Sequence, residues 1–311
     1  MRILVVASFN KGFYAPFIVE QVEALKKQGC AIEFFGLQGK GLRGYLRNLP
    51  FLKKKIKEFR PDVIHAHYGL SGLFANLQRR VPVVTTYHGS DINDKNVLLF
   101  SKIAIRLSSW NVFVSRKTLE IARPRGKYIL LPCGIDMFDL QQTEKTEARR
   151  KMNLLTERKY VLFAGAFDIA VKNAPLAKES VACLQDGQTE LLELKGYTRE
   201  EVTLLMCAAD AFLLTSHTEG SPQVVKEALA CGCPIVSVDV GDVRERVGGV
   251  DGCFVSDSRN PEDLANLLWK AFEFVGKTEG RKKIVEDGLD NLLVANQLIK
   301  IYERVLKSEN H

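Results

Sequence analysis

The feature that most narrows the folds open to this chain is a repeated alternation of short, continuously apolar runs with stretches of helical period. Arg2 to Ser8 is an unbroken aliphatic and β-branched run, and Pro16 to Gln28 then carries apolar residues at helical spacing until Gly29. Ala31 to Leu37, Asp62 to His67, Val81 to Tyr87, Asn111 to Ser115 and Tyr128 to Leu131 extend the series of strands. Strands that are apolar on both faces belong in a parallel sheet covered by helices. After the polar stretch Gln141 to Arg158 the pattern begins again with Tyr160 to Gly165. Strands follow at Glu190 to Lys195, Ala211 to Thr215, Pro234 to Val238 and Cys253 to Val255. Helices are expected at Asn173 to Leu184, Arg199 to Ala208, Pro222 to Cys231 and Pro261 to Val275.

This alternation predicts an α/β chain of two Rossmann-like, doubly wound parallel-sheet domains. The length of 311 residues suits two domains of about 150 residues each. We place one domain at 1–150 and a second at 156–290. The amphipathic C-terminal helix, within 291–311, is expected to dock back on the first. Such sheets bind ligands at the carboxyl ends of their strands, so the two domains are expected to face each other across a cleft.

Charge divides the halves. Residues 1–150 carry 25 Lys and Arg against 12 Asp and Glu, a net of +13, whereas the rest has a net of −6. Much of the excess lies in 40–60, where Lys40, Arg43, Arg47, Lys53, Lys54, Lys55, Lys57 and Arg60 interleave with Leu42, Leu46, Phe51, Ile56 and other apolar residues. Such a stretch is either an ordinary solvated helix face or a patch for anionic lipid; no nucleic-acid partner is expected. The opening apolar run meets Asn10, Lys11 and Gly12 too soon for an export signal, and no later run is long enough to span a bilayer. The seven cysteines form no C-x-x-C pair and are expected to be reduced thiols of a cytoplasmic protein.

The chemistry concentrates in SHTEGSPQVVKE, Ser216 to Glu227. Glu219 lies in a loop after a strand, and Glu227 lies eight residues on, inside the following helix. Pro222 sits near the first helical position, where proline is favoured. Backbone N–H groups at that helix start suit a diphosphate. The opening turn SFNKGFYAPF has no G-x-G-x-x-G, which argues against a dinucleotide there.

The E-x(7)-E pattern, followed by EALACGCPIV and GDVRE, resembles the retaining glycosyltransferases of family 4, with the GT-B fold. PDVIHAHYGLSG (Pro61 to Gly72), TYHGSD (Thr86 to Asp91), VFVSRKT (Val112 to Thr118) and LPCGID (Leu131 to Asp136) are similar to its N-terminal landmarks, in order. The resemblance implies a nucleotide-diphosphate sugar, UDP- or GDP-linked, as donor substrate, with no cofactor and no metal. It implies a glycan or lipid-linked acceptor in cell-surface polysaccharide synthesis, met by an enzyme peripheral to the inner membrane face. Glu219 would hold the donor sugar, Lys172 would neutralise the diphosphate and His88 would reach the reaction centre. Glu227 would accept from the ribose hydroxyls, and Gly220, Ser221, Pro222, Gln223 and Val224 would line the phosphate. Gly12, Gly165 and Tyr197 complete the implied donor contacts, Tyr197 beside the base. One departure stands out: Ala166 follows Gly165 where the family commonly has arginine. His65 and His67 are expected to pack rather than bind metal. The rival readings are a nucleotide-sugar epimerase, a phosphorylase, or a catalytically weak membrane-surface binding protein on the same fold.

Overall fold

A computed structural model describes residues 1–39 and 41–309, which divide into two units. Lys40 and the final residues 310 and 311 of the expected C-terminal helix lie outside the described residues, as does the Leu42 side chain.

The first unit comprises Met1–Gly134 and the chain from Asp290 onward. Its strands are β1 (Arg2–Ser8), β2 (Ala31–Leu37), β3 (Val63–His67), β4 (Val83–Tyr87), β5 (Trp110–Phe113) and β6 (Tyr128–Leu130), ordered β2-β1-β3-β4-β5-β6. All pairings are parallel, with Ile3 beside both Ile32 and Val63. The pleat divides β1 between two layers, as a period of two requires. Ile3, Val5 and Ala7 face a layer that includes Ile18, Val22 and Leu25 of helix Pro16–Lys27 and Leu298, Tyr302 and Val305 of helix Asn291–Glu309. Leu4 and Val6 face Leu52, Ile56, Phe59 and Phe74 on the other side.

The second layer accounts for the basic stretch. Helix Leu49–Phe59 turns Leu52, Ile56 and Phe59 into the core, so these apolar residues are spent inside the unit. Lys55 pairs with Glu33 and Lys54 with Glu58, while Lys53 and Lys57 are exposed beside Phe51, itself 66 % exposed.

The second unit, Ile135–Leu289, is built on β7 (Lys159–Phe163), β8 (Thr189–Leu192), β9 (Ala211–Leu214), β10 (Ile235–Val238) and β11 (Cys253–Ser256). Their order is β11-β10-β9-β7-β8, again parallel throughout. The chain moves outward from β7 to β8 and returns to the other side of β7 as β9. The strand order therefore reverses between β7 and β9, the place where such sheets receive ligands.

The expected boundary near 150 needs correction, because residues 135–150 group with the second unit. Helix Lys145–Lys151 carries Arg149, buried, which donates to Ala208 O at 3.1 Å and to Asp210 at 2.7 Å. Lys145 pairs with the same carboxylate, and Asp210 also accepts from Tyr160 N at 2.7 Å. The charges of the polar stretch before β7 are half of an ion-pair network.

Candidate active site

The loops that leave β7 and β9 are locked together before any side chain reaches the site. Thr215 Oγ1 donates to the carbonyls of Lys172 and Asn173, both at 3.0 Å, and His217 N donates to Val171 O at 2.9 Å. Arg259 braces the same loop, donating to Thr215 O at 3.1 Å and Ser216 O at 2.8 Å. On this frame Lys172 Nζ meets Glu219 Oε1 at 2.8 Å, with the two side chains 19 % and 17 % exposed.

Two glycines make that pairing possible. A Cβ on Gly165 would stand 3.0 Å from Lys172 Cγ, so the lysine stem runs along a backbone with no side chain. Gly241 has φ +55°, and a Cβ there would lie 2.5 Å from Gly220 O and 3.2 Å from Glu219 Cβ. Next to it, Asp242 accepts from Ser221 Oγ at 2.8 Å and pairs with Arg246 at 3.2 Å. Burial raises the Asp242 carboxyl from its ordinary range, against the opposing pull of Lys226 and Arg246. Ala166, standing where the resemblance has arginine, is buried.

Pro222 caps the next helix from one residue outside; the helix is Gln223–Ala230, so proline occupies the capping rather than the first helical position. Gln223 and Val224 are then the first two helical residues, and their N–H groups lie at the positive end of the helix dipole. Glu227 is buried within this helix, and Arg199 Nη1 reaches its Oε1 at 2.7 Å. Tyr197, after β8, is 41 % exposed. Arg199 was not legible as a site residue. Its one signal is a basic side chain opening helix Arg199–Ala208, where the dipole disfavours it. That helix holds its start with a Thr198–Glu201 capping box instead.

In the first unit, Gly12 follows β1 with φ +78° and open space around it, its N–H donating to Phe9 O at 3.1 Å. His88 follows β4. Its Nε2 stands 3.0 Å from His67 Nδ1, and its Nδ1 stands 3.8 Å from Cys133 Sγ. Phe17 and Tyr68 lie against the ring at centroid distances of 4.8 and 4.6 Å. Tyr68 has φ +72°, a strained conformation for a bulky residue, and sequence reasoning did not find it. Buried Asp91 fixes the turn by accepting from Gly69 N at 2.8 Å and from His88 N and Gly89 N, both at 3.0 Å. Burial pushes Asp91 up to about 6. His65 bonds Thr86 Oγ1 and Tyr302 Oη, both at 2.7 Å, and burial holds it down to about 3. His67 is lowered well below the ordinary histidine value by burial and by His65 and His88 beside it. The buried rings of His65 and His67 stack at a centroid distance of 4.5 Å, and half-buried His88 continues the stack at 5.2 Å from His67.

Residues 17–137 match the family model described as Glycosyltransferase Family 4, and residues 161–273 match that described as Glycosyl transferases group 1. A Bacillus subtilis protein assigned to teichuronic acid biosynthesis as a glycosyltransferase, TuaC, is 29 % identical over 62 % of this chain. The match spans 57 % of TuaC, a little over half its length. Sucrose-phosphate synthase from Thermosynechococcus elongatus shares the fold with a TM-score of 0.81 at 16 % identity, covering 99 % of this chain and 100 % of that one. The Anabaena protein HepE in complex with UDP-glucose does so with a TM-score of 0.76 at 17 % identity, covering 98 % of this chain and all of its own.

Proposed function

The chain belongs to glycosyltransferase family 4, and on that footing we propose that it transfers a sugar from a nucleotide-diphosphate sugar to a saccharide or lipid-linked saccharide acceptor in polysaccharide synthesis. The observation that carries this reading is the Lys172–Glu219 pair at the strand-order reversal of the second sheet. A cation and a carboxylate held 2.8 Å apart, next to a helix start, match a ligand with an anionic diphosphate at one end and hydroxyls at the other. Lys172 meets the phosphate, Glu219 the sugar hydroxyls, the amides of Gln223 and Val224 the diphosphate, and Glu227 the ribose diol. Arg199, at 2.7 Å from its Oε1, holds the Glu227 side chain in place for that last role. In the first unit, His88 serves substrate recognition, steadied by Asp91 through the backbone.

The reaction is a same-face displacement. The bond from the anomeric carbon to the phosphate oxygen breaks as the acceptor oxygen attacks, and the acceptor's proton passes to the departing phosphate. Positive charge grows at the sugar and negative charge at the phosphate, so a fixed cation at the leaving group lowers the barrier. No resident metal is needed in this scheme. Among the described residues no group of three or more His, Cys, Asp or Glu side chains is arranged to hold one.

The name of HepE's ligand supports UDP as the nucleotide. UDP at 100 times its dissociation constant is expected to stabilise the folded chain by about 2.7 kcal/mol, read as a rise in Tm. A chain whose melting is unmoved by UDP, GDP or their sugar conjugates would remove the donor reading.

No helix among the described residues is long and apolar enough to cross a membrane. We place the acceptor at a bilayer surface through the exposed side of helix Leu49–Phe59, where Lys53, Lys54 and Lys57 flank Phe51. Each basic residue near an anionic leaflet contributes about 1 kcal/mol, and salt weakens it. Co-sedimentation with anionic vesicles is therefore expected at low salt and lost at about 1 M, where the screening length is about 3 Å. Equal binding to neutral vesicles, or no loss on changing the three lysines to glutamate, would leave this helix a plain solvated face.

A further inference from the structure

Cys207, Cys231, Cys233 and Cys253 gather at the amino-terminal edge of the second unit's sheet, the end opposite the Lys172–Glu219 pair. Cys207 lies in the last turn of helix Arg199–Ala208, Cys231 caps helix Gln223–Ala230, and the other two stand just before β10 and at the start of β11. A cavity of about 240 Å³ opens onto Cys207, Cys231 and Cys233, with Lys145, Lys277 and Phe274 in its wall. No role in the transfer chemistry falls to any of them.

The surroundings distinguish the thiols. Thr143 N–H donates to Cys207 Sγ at 3.5 Å, and the Cys207 thiol in turn donates to Gln141 O at 3.8 Å. Cys207 and Cys231 share the cavity wall, and the neighbouring Cys231 thiol, with the Thr143 N–H and the Lys277 charge, holds Cys207 down to about 7. Cys207 beside it and burial push the Cys231 thiol up. Burial also raises Cys233, and it holds Cys253 up at about 12. Two thiols on one cavity wall, one of them held below the ordinary thiol range, are the arrangement that oxidation converts into a disulfide.

We propose that this cavity is a modification site for hydrogen peroxide, at which Cys207 and Cys231 become a reversible disulfide. The Cys207 thiolate attacks one peroxide oxygen, the O–O bond breaks and the departing hydroxide takes up a proton to leave as water. Cys207, oxidised by two electrons, is then a sulfenic acid. Cys231 loses its proton and attacks the Cys207 sulfur; the S–S bond forms and the sulfenic hydroxyl departs with that proton as a second water. Two thiols and one peroxide give one disulfide and two waters. The bond ties together the two helices that already share the Arg199–Glu227 ion pair.

The test uses the whole folded chain. It is treated with equimolar hydrogen peroxide, its remaining thiols are blocked with N-ethylmaleimide, and the digest is mapped by mass spectrometry. Five of the seven cysteines should be blocked, and a Cys207–Cys231 linked peptide should appear and vanish with dithiothreitol. Cys207→Ser and Cys231→Ser should each eliminate it, while Cys183→Ser should not. The assignment is overturned if all seven thiols remain, if Cys231 is linked to Cys233 or Cys253 instead, or if Cys207 is recovered as a sulfinate with Cys231 free. The map of the unsubstituted protein decides this whether or not a serine variant folds, and independently of whether any nucleotide binds.

Discussion

Glu219→Gln and Lys172→Ala are each expected to lower turnover by about 100-fold or more, equivalent to about 2.7 kcal/mol of transition-state stabilisation. The size follows from where the charges stand. Both side chains are largely shielded from water at the strand-order reversal, and each acts on a group whose charge changes as the bond to phosphate breaks. Because they are paired at 2.8 Å, their effects are not independent, and the double variant should lose less than the product of the single losses. Turnover is measured with the donor found by the melting screen, and circular dichroism checks that the variants remain folded. Near wild-type turnover in either variant would show that its residue has been given the wrong role.

The buried histidines predict an acid instability of the first unit. His65, held at about 3 by burial, stays unprotonated in the folded chain, whereas an unfolded histidine binds a proton near pH 6.5. A depressed histidine thus contributes stability that is complete above about pH 6.5 and is lost as the pH falls toward the folded value. His67 acts in the same direction. Asp91 opposes them: raised from 3.8 to about 6, it keeps a proton in the folded state that the unfolded chain releases, so its contribution is present below 3.8 and lost as the pH rises through 6. Tyr68 and Tyr302 are pushed upward and keep their protons throughout this range.

Between about pH 6 and 4, unfolding takes up protons at both histidines and releases one at Asp91. Stability should therefore fall as the pH falls through this range. Asp91→Asn should steepen the slope, and His67→Gln should bring it close to zero. Urea midpoints followed by Trp110 fluorescence in a Trp269→Phe background report on the first unit alone, since these are the chain's two tryptophans. A flat profile between pH 6 and 4 would show that the histidine stack is reached by water.

Much of the architecture could be read from the chain because its signals are short-ranged. β1, β2 and helix Arg199–Ala208 have the bounds that periodicity and flanking residues predict, and the other expected strands differ by at most two or three residues at an end. Val81 to Tyr87 shortened because Pro82 brings no N–H to a ladder, leaving β4 to begin at Val83. Glu219 and Glu227 were also legible, since a loop carboxylate and a helix carboxylate eight residues apart share one stretch of chain. The boundary near 150 was not, because Arg149 and Lys145 become structural only through Asp210, about sixty residues away.

The tertiary structure decided which charges meet. Lys172 faces Glu219 across 47 residues, Arg199 faces Glu227 across 28, and Tyr302 bonds His65 across 237. None of these separations is a helical or strand period. Each pair exists because β9 returns beside β7, because two helices cover one face of a sheet, or because the last helix lies against the first unit's strands. Residue type and local period determine what each segment becomes; strand order determines its neighbours, and with them which charges meet in the site.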